Sequence, residues 1–251
     1  MSLTAKIVLS PLLVAQALAT RRRLPQLPEA AGAREGVVGR GRVTLRLLIG
    51  GDSSAAGVGV ATQDEALAGH LTRALAAQTG ARVQWRLAAR SGLTSAEAVE
   101  LIDDAAAGFQ AHIAVLSLGV NDVIDQVPSR HAVAARERLV NRLRNAHGVQ
   151  HVVFTPLPPV HRFPGLPQPL RWVAGADARR HDRALARWAA ERAAQCNDVS
   201  HVPIDLPLNR GVMASDGIHP GEPVYRVCGV ALAEHIATVV WPRLIQPRSS
   251  R

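Results

Sequence analysis

Past residue 43 the chain alternates short apolar runs with longer stretches of helical spacing, and this alternation constrains the fold more than any other feature. Residues 45–49, 83–87, 112–118, 152–155 and 199–204 are apolar and bounded by Gly, Pro or polar turn residues, the pattern of buried strands. Between them, residues 61–78, 94–107, 130–146, about 176–195 and 222–240 read as helices; Leu67, Leu71 and Leu75 show the spacing, and Gly80 follows as a stop signal. Strands alternating with helices predict a parallel sheet covered on both faces. The expected fold is therefore α/β, a three-layer α/β/α domain of five parallel strands over residues 43–245. Ligands of such sheets bind beyond the carboxyl ends of the strands.

Residues 1–42 stand outside the alternation. An apolar run over residues 7–19 is interrupted by Ser10, Pro11 and Gln16 and is followed at once by Arg21, Arg22 and Arg23. It falls short of the roughly 20 apolar residues that span a bilayer. Its length and small residues suit an export signal, yet Lys6 is the only cation before it and the strong charge comes after it. A retained segment in peripheral contact with an anionic membrane surface is the expectation, with a cytoplasmic or membrane-associated location. Packing on its own domain and secretion are the alternatives. Residues 24–42, rich in Pro, Gly and charge, read as an irregular lead-in.

The net charge of +9 comes almost wholly from arginine, Lys6 being the only lysine. A nucleic-acid partner is not expected, because aromatics are only 3% and the arginines are scattered over several helices rather than gathered with stacking residues. Cys196 and Cys228 have neither a disulfide framework nor metal-ligand spacing, and the histidines include no His-Glu-x-x-His pair. No metal or cofactor is expected.

Four short motifs carry chemistry, each at a strand end or in a late loop. Gly51-Asp52-Ser53 follows the first strand, where a serine hydroxyl can project into the crevice and a following helix start favours a developing anion. Ser215-Asp216-Gly217-Ile218-His219-Pro220 offers a base and its acidic partner: three residues apart, Asp216 can hold one imidazole nitrogen while the other faces Ser53. Ser91-Gly92 after the second strand, and Gly119-Val120-Asn121-Asp122 after the third, supply donors of the kind an oxyanion requires. Each peptide alone is read as well by a plain turn or helix cap. Their order raises the odds for function.

Taken together, nucleophile, glycine, asparagine and Asp-x-x-His resemble the SGNH (GDSL-type) hydrolase family, over residues 45–240. The resemblance implies a flavodoxin-like sheet and a serine esterase. It implies Ser53 as nucleophile, His219 as base, Asp216 as its partner, and Ser53, Gly92 and Asn121 as oxyanion donors. The substrate it implies is a carboxylic ester, with short acyl groups expected first. Carbohydrate acetates, thioesters and lysophospholipids are alternatives, as is a non-catalytic acyl- or carbohydrate-binding module. The Gly-x-Ser-x-Gly elbow of α/β-hydrolases is absent, since Ala55 stands where its second glycine would be. A Gly-x-Gly-x-x-Gly dinucleotide turn after a strand is likewise missing. Proline-rich residues 156–174 follow the fourth strand, and Phe163, Leu166 and Trp172 are the expected apolar wall of the crevice.

Overall fold

The computed structural model describes residues 3–245, with side chains from residue 9 onward. Helix α1 (Leu3–Arg23) leads into strands β1 (Glu35–Val38) and β2 (Thr44–Gly51) and a single helical turn, α2 (Ser53–Ala56). Next come α3 (Leu67–Thr79), β3 (Arg82–Ala89), α4 (Glu97–Ala105), β4 (Ile113–Ser117), α5 (Val120–Ile124), α6 (Ser129–His147) and β5 (His151–Phe154). The chain closes with α7 (Leu170–Cys196), β6 (Val199–His201), α8 (Glu222–His235), a π turn over Ile236–Val240, and α9 (Trp241–Ile245).

The sheet order is β1-β3-β2-β4-β5-β6. The five expected strands are there, β2 to β6, and all pair in parallel. Central β2 reads Leu45, Leu47, Leu48, Ile49 with every side chain fully buried, as a strand covered on both faces must. Successive side chains point to opposite faces. Leu48 accordingly packs with Ile102, Leu139 and Leu143 of α4 and α6, while Leu47 and Ile49 pack with Leu71, Leu75 and Leu232 of α3 and α8. Full burial of each such leucine is worth about 1.5–3 kcal/mol, so the two apolar layers fix which helices lie on which face.

The lead-in is more ordered than the sequence suggested. Glu35–Val38 forms a sixth strand, antiparallel to β3, so residues 24–42 are not wholly irregular. Ala31 also bridges to Thr62. Helix α3 begins at Leu67 rather than 61, because the preceding residues are used otherwise. Glu65 accepts from the Ala61 and Thr62 amides, and the Gln63 side chain donates to Ala30 and Ala56. Helix α7 begins at Leu170, six residues early, directly after Pro169, which shortens the connection from β5.

Candidate active site

Strand β2 ends in Gly50-Gly51 against β4. A Cβ at Gly51 would run into the Ser117 carbonyl, and φ is 155° there, so the tight exit from the strand depends on glycine. Asp52 caps α2: its carboxylate accepts from the Ser54 amide at 3.0 Å. That leaves Ser53 at the first position of the turn, where a backbone N–H has no partner within its helix.

The loop before α8 delivers the other two groups. Asp216 Oδ1 accepts from the amides of Ile218 (2.9 Å) and His219 (3.0 Å), which winds Asp216-Gly217-Ile218-His219 into one tight turn. Asp216 Oδ2 then lies 2.6 Å from His219 Nδ1. With Nδ1 donating to Asp216, Nε2 is left as an acceptor, and it lies 3.1 Å from Ser53 Oγ. Burial acts to raise the Asp216 pKa, but the bonds from the His219 ring and the two amides outweigh it and hold the carboxyl below its ordinary value. A chain of hydrogen bonds from a buried carboxylate through an imidazole to a serine hydroxyl can draw the serine proton as the oxygen attacks.

Gly92 and Asn121 stand at the carboxyl ends of β3 and β4, on either side of β2. Gly92 is exposed at φ 85°, with no atom within 4 Å of where a Cβ would be. The turn is held from below. Glu29 accepts from the Ser91 amide at 2.7 Å, and Arg34 donates to the Ala89 carbonyl at 3.0 Å. Asn121 Nδ2 donates to the Leu93 carbonyl at 3.0 Å, joining the two turns to each other.

Under these turns lies a charged network that the motifs alone did not reveal. Asp122 accepts from the Ser95 amide and hydroxyl and from the Arg136 guanidinium at 3.1 Å. Arg136 and Asp122 are 0% and 1% exposed. Arg136 also donates to the Leu118 carbonyl, so it ties the Asn121 loop to β4 from inside. Asp52 is buried beside this network, and burial pushes its carboxyl up to about 6 despite the Ser54 amide and the nearby imidazole. A signal for Arg136 existed in the sequence. It stands on the stripe of Ala132, Leu139 and Leu143, where α6 is otherwise apolar.

A cleft opens beside Ser53 and His219, lined by Leu67, Phe163, Leu208, Met213, Ile218 and Val224 among others. Of the three residues expected in its wall, Phe163 is there. Leu166 packs on the core instead, and Trp172 is 47% exposed on the first turn of α7. Cys228 also faces the cleft, but burial pushes its thiol up to about 12, so it stays protonated and is no rival nucleophile.

The likeness to known proteins extends over most of the chain. Residues 50–227 match the family model of GDSL-like lipase/acylhydrolases. A GDSL-like esterase of Mycobacterium tuberculosis, Rv1075c, is 29% identical over 235 residues, covering 85% of this chain and 72% of the relative. Among solved structures, TesA is similar at 25% identity and a TM-score of 0.56, over 80% of this chain and 98% of that one. A Clostridium thermocellum family 3 carbohydrate esterase shares the fold, with a TM-score of 0.62 at 16% identity, over 80% of this chain and 98% of that one. The chain thus belongs to the GDSL-like lipase/acylhydrolase family of SGNH hydrolases and is a carboxylic ester hydrolase.

Proposed function

We propose that the protein cleaves small acyl esters by two-step acyl transfer through Ser53. The observation that carries this reading is the continuous chain Asp216–His219–Ser53, at 2.6 and 3.1 Å. His219 Nε2 takes the Ser53 proton as Oγ adds to the ester carbonyl. The C=O electrons move onto oxygen, which is held by the Ser53 and Gly92 amides and the Asn121 side chain. Collapse expels the alcohol, which receives the proton from His219, and leaves an acyl-serine. Water, deprotonated by the same imidazole, repeats the addition and releases the acid. Asp216 stays ionised and steadies the imidazolium.

The preference for small acyl groups rests on the cleft. Its volume is about 70 Å³, small beside the roughly 300–1,000 Å³ of clefts that enclose drug-sized ligands. Its wall is apolar, so the acyl methyl rather than a polar substituent is favoured there. Sugar acetates present the same acyl group, and they are the second substrate class this cleft admits.

Hydrolysis of p-nitrophenyl esters from acetate to palmitate by the wild type and by Ser53→Ala tests both statements. The expected result is an optimum at the short end and background activity in the variant. Full activity in Ser53→Ala would overturn the serine mechanism, and an optimum at long chains would overturn the small-acyl assignment.

A further inference from the structure

Helix α1 shows more apolar surface to solvent than a helix on a globular domain ordinarily does. Such a helix buries an apolar stripe and shows polar residues to solvent. The face toward the domain carries Leu9 and Leu13, each only partly buried, and its hydrogen bonds come from a polar residue: Gln16 donates to the Gln168 carbonyl at 2.6 Å and accepts from the Leu170 amide at 3.1 Å, and Thr20 is buried. Three further apolar residues face outward, Leu12, Val14 and Leu18 being 47%, 58% and 52% exposed. Exposed Arg21, Arg22 and Arg23 close the helix, and no acidic residue occurs anywhere between Leu3 and Arg23. Exposed Trp172 stands beside the Gln16 tether, its amide bonded to the Gln168 side chain.

We propose that α1 docks the protein on a bilayer containing anionic phospholipid. The surface offers apolar side chains next to a cluster of cations and an exposed tryptophan, which match the acyl layer, the headgroup phosphates and the boundary between them. A second copy of the chain is a poorer occupant. In a symmetric contact it would set the same three arginines against one another, between chains that each carry a net charge of +9. The other long apolar helix, Glu222–Ile245, does not compete for this role, because Leu232 and Ile236 are fully buried in the core.

The docking helix is fastened to the catalytic loop. Arg23 donates to the Gly165 carbonyl at 3.2 Å, and the Gly165 amide donates to the Gly217 carbonyl at 2.9 Å, between Asp216 and His219. Binding through α1 therefore brings that rim of the crevice to the lipid surface. The inference is independent of the chemistry at Ser53.

Flotation of the full chain with vesicles of phosphatidylcholine, with and without phosphatidylglycerol, tests it. The wild type is expected to float with the anionic vesicles and far less with the neutral ones. Arg21→Gln with Arg22→Gln, which spares the Arg23 tether, should weaken anionic binding by about tenfold or more. Leu12→Ser with Val14→Ser and Leu18→Ser should abolish it. All variants should hydrolyse a soluble ester at the wild-type rate, which reports an intact domain separately from docking. Absence of flotation with anionic vesicles would overturn the proposal. So would a dimer, seen by light scattering, that the triple serine variant dissociates.

Discussion

The side-chain amide of Asn121 donates to the carbonyl of Leu93 at 3.0 Å, so the turn after β4 is stitched to the turn after β3 that carries Gly92. An amide has two N–H groups. One is spent on this stitch, and in the proposed mechanism the second meets the oxyanion. Asn121→Ala should lower kcat by roughly 10²–10³, as loss of one oxyanion donor does elsewhere. KM should change little. Steady-state kinetics on p-nitrophenyl acetate checks both.

Asp216→Asn keeps the shape of the turn but turns an acceptor at Nδ1 of His219 into a donor. The imidazole then favours the tautomer with its proton toward Ser53, where it cannot act as a base. A fall in kcat of about 10⁴ is expected, by analogy with other serine triads. Thermal unfolding near that of the wild type would show that the loss is chemical.

Arg136 and Asp122 are a fully buried pair, and Asp122 also carries the Ser95 end of the Gly92 turn. Arg136→Met removes the cation and strands a buried carboxylate, at a cost of about 3–5 kcal/mol. Adding Asp122→Asn should recover much of this, since the stranded charge disappears. Urea unfolding of the single and double variants measures the coupling.

Asp52 and Asp216 make opposite contributions to pH stability. Burial raises Asp52 to about 6 from 3.8, so the folded state holds this proton more tightly than the unfolded chain. Stability from this group is present below pH 4 and is lost as pH rises toward 6, by about 3 kcal/mol at 1.36 kcal/mol per unit. Asp216 is lowered, so its contribution is present at neutral pH and is lost as pH falls through its folded value. Asp52→Asn should therefore flatten the decline between pH 4 and 6, read as urea midpoints across that range.

Much of this was legible in the chain itself. Parallel strands buried on both faces leave continuous apolar runs, so β2 to β6 appeared within a few residues of their places. The motif residues could be placed on one sheet edge because strand ends in this fold converge there. Edge strand β1 escaped because it buries so little. Val37 is 48% exposed and only Val38 packs on the core, so this four-residue strand writes no apolar pattern. The start of α3 was missed because Gln63 and Glu65 use their side chains to satisfy backbone groups, a tertiary choice that spacing does not record. Arg136 was hidden by its company, for an arginine among Arg138, Arg142 and Arg144 looks like solvated charge until its place on the apolar stripe is counted.

Strand β1 has a consequence beyond the architecture. Without it, the eight residues of β3 would form the margin of the sheet, and a long row of unpaired amides and carbonyls would be open to any other extended chain. With β1 in place the margin is only four residues long. Its Glu35 is paired with Arg86, and Arg40 and Arg42 follow on either side of Gly41. That short, charged border gives a second molecule little to add a strand to, so this unassuming stretch serves as the guard against edge-to-edge aggregation.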